Sequence, residues 1–190
     1  VRVKSIPFNM KWNVDDELRE RPVSSEEMVE GLNFLMDCLN IDSLSIQTRA
    51  KIIGWIGVYA RIAKDYHLST DYLKQAIKLY EDLGDARGAF VQKLRLACTW
   101  HWKGKIREAG HLFHQLLQEV EQNEKLDGYR DFLYQHYGKF QLDRGKPELA
   151  MNYFREALHI REGKGDQELI ETTKKCLHKC REKLRHTEIL

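Results

Sequence analysis

Proline is scarce in this chain. Only Pro7, Pro22 and Pro147 occur, so nothing between Val23 and Lys146 breaks a helix by removing a backbone donor. That absence favours an all-α protein. Cysteine is almost as sparse: Cys38, Cys98, Cys176 and Cys180 form neither a disulfide ladder nor a paired C-x-x-C metal signature. A reducing cytoplasm is the simplest setting for them. No apolar run reaches the roughly 18 residues needed to span a bilayer, and Val1 to Met10 lacks the apolar core of a secretory signal. The chain also opens on Val1 rather than methionine, which leaves room for missing upstream residues. A formal net charge of +2 is too small to point to nucleic acid or a membrane surface. Catalytic signatures are missing as well: there is no glycine-rich phosphate loop, no H-E-x-x-H, no nucleophile elbow and no paired-carboxylate cleft. Neither an enzyme nor a cofactor is expected.

What the chain does have is helical periodicity. Residues 1–22 are the exception. They mix Arg2, Lys4 and Lys11 with Phe8, Met10 and Trp12, and read as a partly ordered arm, with one short helix at most, able to pack on the rest of the chain or on a second copy. Ser24 followed by Glu27 is a capping box, and Met28, Leu32, Leu35, Met36 and Leu39 then form an apolar stripe beside Cys38. After Asn40 to Ser43, where Asp42 or Ser43 can cap, a helix is expected from Leu44 to Tyr66. Gly54 and Gly57 lie inside it, each at a cost of about 1 kcal/mol relative to alanine, a cost that close helix packing would offset. Another helix follows from about Ser69 to Gly84, a fourth is capped by Asp85, and a fifth starts after Lys103-Gly104-Lys105. Pro147 falls in a first helical turn, where its missing N–H does no harm. Gly163 and Gly165 end that helix, and Asp166 caps the last one.

The hairpins superimpose with a period of about forty residues. Ile56-Gly57, Leu96-Ala97 and Tyr137-Gly138 coincide, as do the turns Lys64-Asp65-Tyr66, Gly104-Lys105-Ile106 and Gly145-Lys146-Pro147. Ser69, Ala109 and Ala150 then align, followed by Leu73, Phe113 and Phe154, and by Ala76, Leu116 and Ala157. This pattern resembles the tetratricopeptide repeat, with its large–small pair, glycine turn and alanine–aromatic–alanine. Ser69, Leu116 and Lys64 depart from it. A period longer than the usual thirty-four or so is similar to the repeats of bacterial peptide-responsive regulators. The resemblance implies an all-α, right-handed superhelical stack of antiparallel helical hairpins, an α-solenoid, over residues 23–190. Its hairpins fall at about 43–83, 85–122 and 128–162, with a capping helix at about 166–185.

It also implies a site. In that family the first helix of each hairpin lines a concave groove, and one stripe of it meets a ligand. By position the groove residues are Lys51, Val58 and Arg61, then Leu94, Arg95, Cys98, His101 and Trp102, then Gln135, Lys139 and Leu142. Apolar and basic side chains together suit a peptide with hydrophobic anchors and some acidic character. The family's carboxylate clamp needs lysine and asparagine where this chain has Gly54 and Val58, so that mode is not expected. His111 and His114 lack a third ligand for a metal. Cys176 and Cys180 share an apolar stripe with Leu169, Thr173, Leu177 and Leu184, so they read as core, with His178 on another face. The run from Lys174 to Arg185 reads as a solvated face. The implied function is a non-enzymatic, cytoplasmic scaffold binding a protein or peptide. The alternatives are a self-assembling scaffold and a regulatory subunit of the peptide-responsive kind.

Overall fold

The computed structural model describes residues 6–188, with side chains through Arg185; Val1, Arg2 and Lys4 lie outside the described residues. The chain forms two compact units, Val1–Leu112 and Phe113–Leu190. The first unit takes in the arm together with the helices that follow it.

In that first unit the arm carries a two-stranded antiparallel hairpin, β1 (Trp12–Val14) and β2 (Glu20–Pro22), with Trp12 opposite Pro22 and Val14 opposite Glu20. The expected short helix is replaced because Asp15 organises a turn. Its carboxylate accepts from the backbone N–H groups of Glu17 and Arg19 and from Arg21 Nε at 2.7 Å. Strands of three residues are too short to stand alone, and this pair leans on the helices behind it.

Those helices are α1 (Ser25–Cys38), α2 (Ile46–Ile62), α3 (Tyr66–Asp82), α4 (Ala86–Trp102) and the start of α5 (Ile106–Gln122). Ser24 caps α1 by accepting from Glu27 N–H, and Asp85 caps α4 by accepting from Gly88 N–H, as the sequence indicates. Ser45, not Asp42 or Ser43, caps α2, and α3 begins at Tyr66 behind an Asp65 cap, earlier than Ser69. From α1 to α4 each helix packs on the next. Met28, Leu32 and Leu35 of α1 meet Ile52, Ile56 and Ile62 of α2, and Ile6 and Met10 of the arm join the same core. A Cβ on Gly31 would overlap Met10 Sδ, so the arm lies directly on α1.

The second unit holds the end of α5, a 3-10 turn (Glu124–Tyr129), α6 (Arg130–Asp143), α7 (Pro147–Lys164) and α8 (Gln167–Glu188). Pro147 occupies the first turn of α7. Gly163 does not stop that helix, which runs on to Lys164 and closes on Gly165 at φ 71°. Phe113, Tyr137 and Phe140 form an aromatic core, with the Phe113 and Phe140 ring centres 5.2 Å apart. Cys176 and Cys180 are buried while His178 faces outward, as their stripe predicts. The chain is thus predominantly helical with stacked neighbouring helices, and the hairpin is its one sheet among the described residues.

Candidate binding cavity

Helix α2 exposes little. Ile52, Ile53, Ile56, Ala60 and Ile62 are buried, and the turn facing the arm presents Trp55, Val58 and Tyr59. Opposite them the arm lays down Ile6, Phe8, Asn9, Met10, Lys11 and Trp12, while α4 contributes Arg95. Together these residues line a cavity of about 560 Å³, within the range of sites that hold small ligands or part of a peptide. The Trp12 ring meets Tyr59 edge-on at 6.4 Å between ring centres, joining the arm to α2.

The electrostatics of this cavity are one-sided. Its lining includes the cations Lys11 and Arg95 and no carboxylate. Arg95 as a whole is half-buried, yet its guanidinium is well removed from water. Burial first, and the nearby Arg61 charge second, bring its pKa down to about 10. Nη1 of Arg95 donates to Gln92 Oε1 at 3.1 Å, a neutral acceptor. Burial pushes the Tyr59 hydroxyl up, with Arg95 pulling the other way. A desolvated cation without a carboxylate partner attracts an anion far more strongly than one in bulk water.

Arg61, next to this cavity, is satisfied differently. It is 5% exposed, donates from Nη1 to Glu20 Oε2 of β2 at 2.9 Å, and lies with its guanidinium carbon 4.1 Å from the centre of the Trp102 ring. Its Nε has no hydrogen-bond partner, so a single hydrogen bond, rather than a bidentate fork, ties it to the hairpin.

Of the residues expected along a groove, Val58 and Arg95 are brought together at the cavity. Arg61 and Trp102 stack beside it but are closed to a ligand, because the hairpin and the ring use their faces. Leu94, Cys98 and His101 are buried, since α4 packs on more than one side. Lys51 is exposed and absent from the lining. In the second unit Gln135, Lys139 and Leu142 are also buried, contrary to a ligand-facing stripe. Helix α8 covers that side: Gln135 Nε2 donates to Cys176 Sγ at 3.2 Å, and Lys183 reaches the Leu142 carbonyl. Trp55 and Tyr59 lie outside the groove stripe that the sequence implies, and Phe8, Met10 and Trp12 read there only as part of an aromatic-bearing arm. Among the described residues no group of three His, Cys, Asp or Glu side chains could hold a metal, and no helix is long and apolar enough to cross a membrane.

No family model and no curated protein matches this chain. Among solved structures, the crystal structure of BtubC (BKLC) from P. vanneervenii is similar, with a TM-score of 0.54 at 12% identity over 86% of this chain and 72% of that one. At this identity the likeness concerns the fold alone.

Proposed function

We propose that the chain is a non-enzymatic, tetratricopeptide-like binding module, a right-handed stack of helical hairpins. Its cavity between the arm, α2 and α4 receives an anionic, apolar-sided peptide segment of a protein partner. The observation that carries this reading is Arg95, a desolvated guanidinium with only a neutral hydrogen-bond partner, set among Phe8, Trp12, Trp55 and Tyr59. The aromatic walls would take the partner's apolar side chains and Arg95 its carboxylate. Arg95 and Lys11 disfavour a cationic ligand, which an aromatic cage alone would otherwise suit. The repeat-like hairpin closures support the solenoid part of the reading.

The test is a fluorescence titration, since Trp12 and Trp55 report from the wall. The probe is an acetylated, amidated hexapeptide of alternating leucine and glutamate, with its leucine–glutamine counterpart as the control. A dissociation constant in the micromolar range, on the order of −8 kcal/mol, is expected for the acidic peptide. Arg95→Gln should weaken it at least about tenfold, the loss of one charge-assisted hydrogen bond. Equal binding of the two peptides, or an Arg95→Gln variant that binds as well as the parent, would overturn the assignment.

A further inference from the structure

Gln92 is a polar side chain in a place otherwise given to packing. It lies on α4 one turn before Arg95, is 4% exposed, and is absent from the cavity lining. Its carboxamide is seated against α2 at Gly54. A Cβ on that glycine would lie 2.8 Å from Gln92 Oε1 and 3.1 Å from both Cδ and Nε2. Glycine is a poor residue for a helix interior, and here its missing side chain leaves the room that the amide occupies. The seated amide faces Arg95. An arginine side chain only donates, so the amide oxygen must turn toward it, and Oε1 accepts from Arg95 Nη1 at 3.1 Å. Gly54, Gln92 and Arg95 thus link the backbone of one helix to the guanidinium at the cavity wall.

The neighbouring guanidinium is held in another way. Arg61 donates to a carboxylate, Glu20 Oε2, at 2.9 Å, so its charge is matched on the spot. An amide oxygen aims a guanidinium as a carboxylate does, but it brings no charge to cancel. We infer that Gln92, seated on Gly54, is the positioning and specificity-determining residue of the cavity, fixing the direction of Arg95 while leaving its charge to a ligand's carboxylate. This rests on the reading of the cavity as a ligand site. Glutamate and methionine are the informative contrasts at position 92. Glutamate has nearly the same size, yet it would give Arg95 an internal counter-charge with which a ligand's carboxylate must compete. Methionine is neutral and of similar length, but it removes the strong acceptor, so Arg95 keeps its charge and loses its aim.

The test uses the full chain, the tryptophan titration, and the acidic leucine–glutamate peptide beside its leucine–glutamine counterpart. The readout is the ratio of the two dissociation constants, which a general loss of packing does not move. Gln92→Glu should bring that ratio to about one, weakening the acidic peptide at least about tenfold while the neutral peptide binds as it does to the parent. Gln92→Met should lower the ratio by only about threefold, because the charge remains. Gly54→Ala, which crowds the amide, should follow Gln92→Met in direction. A Gln92→Glu protein that keeps the parent ratio overturns the inference, as does one in which both peptides weaken equally. If Gln92→Glu does not fold, an unchanged ratio in Gln92→Met overturns it instead. Arg95→Gln separates the two readings: if it removes the acidic preference while both Gln92 variants retain it, the cavity stands and the role of Gln92 falls. A parent chain that binds the two peptides equally removes both.

Discussion

Gly138 of α6 and Phe154 of α7 approach so closely that a Cβ on the glycine would lie 2.6 Å from Phe154 Cε1. The same relationship recurs in the other unit, where a Cβ on Gly57 would lie 2.5 Å from Leu73 Cγ. These are equivalent positions of the forty-residue pattern, so the glycine has the same physical task in both of these hairpins: it lets one helix seat a large side chain of the next against its backbone. Gly138→Ala should therefore destabilise the protein. Alanine favours a helix over glycine by about 1 kcal/mol, but overpacking a filled interface costs roughly 1–3 kcal/mol. A net loss of about 1–2 kcal/mol is expected in urea unfolding, with partial recovery when Phe154→Leu is added. A more stable Gly138→Ala protein would mean that Phe154 has room to move.

Lys64 shows the same logic at a turn. It has φ 69°, beside Gly84, Gly104 and Gly145 at 67°, 83° and 71°. All four close their helix with the same pair of bonds. In the Lys64 case Asp65 N–H donates to Ala60 and Lys64 N–H to Arg61; at Gly104 the pairs are Lys105 to Trp100 and Gly104 to His101. This closure requires a left-handed residue, which costs a non-glycine residue about 1–2 kcal/mol. Lys64→Gly should stabilise the protein by about 0.5–1 kcal/mol after the entropy of a more flexible unfolded chain is subtracted. A shift of the urea midpoint to higher concentration checks it; a lower midpoint would show that the lysine side chain makes up for its backbone strain.

These turns explain what could be read from the sequence. Pro147, the Ser24 and Asp85 caps, and the glycine turns act through local backbone chemistry, which survives translation into one dimension. The departure at Lys64 is legible too, but only as a mismatch, because the neighbouring hydrogen bonds impose the conformation. The arm was not legible. Its strands are shorter than any period, and their order depends on Arg61 of α2, far away in the chain. Nor does a stripe on one helix face say what covers it. Gln135, Lys139 and Leu142 sit at positions that could face a ligand, yet all three are buried, with α8 reaching Gln135 and Leu142. The cavity was half visible, in Val58 and Arg95, because its other wall is the arm.

In the second unit, Asp131 and Arg161 form a buried ion pair, 0% and 2% exposed at their side chains and 3.0 Å apart. Arg161 also donates to Thr173 Oγ1 at 2.7 Å and to the Leu169 carbonyl, while Lys164 reaches the other Asp131 oxygen. The network ties α6, α7 and α8 together. Removing one partner leaves an uncompensated buried charge, so Asp131→Leu alone should cost about 3–5 kcal/mol. Replacing both partners with apolar residues, Asp131→Leu with Arg161→Met, should restore much of that loss, because neither charge then has to be desolvated. A double-mutant cycle by urea unfolding measures this. Additive losses would show that the two charges are not coupled.

Cys180 gives the fold a pH limit. Burial, with Cys176 as a second contributor, pushes its thiol up to about 12, whereas an unfolded cysteine ionises at about 8.5. A folded pKa above the unfolded one means that the unfolded chain releases its proton first as pH rises. The stability that follows from keeping this thiol neutral is complete below about pH 8.5 and is lost progressively as the pH climbs toward 12. Cys180→Val removes the titrating group while keeping an apolar side chain in place. The variant's urea midpoint should fall less steeply than the parent's between about pH 8.5 and 10.5, and the two slopes should coincide below pH 8. Parallel slopes across the whole range would mean that the Cys180 thiolate is accommodated in the folded state, and that the buried stripe of α8 admits water.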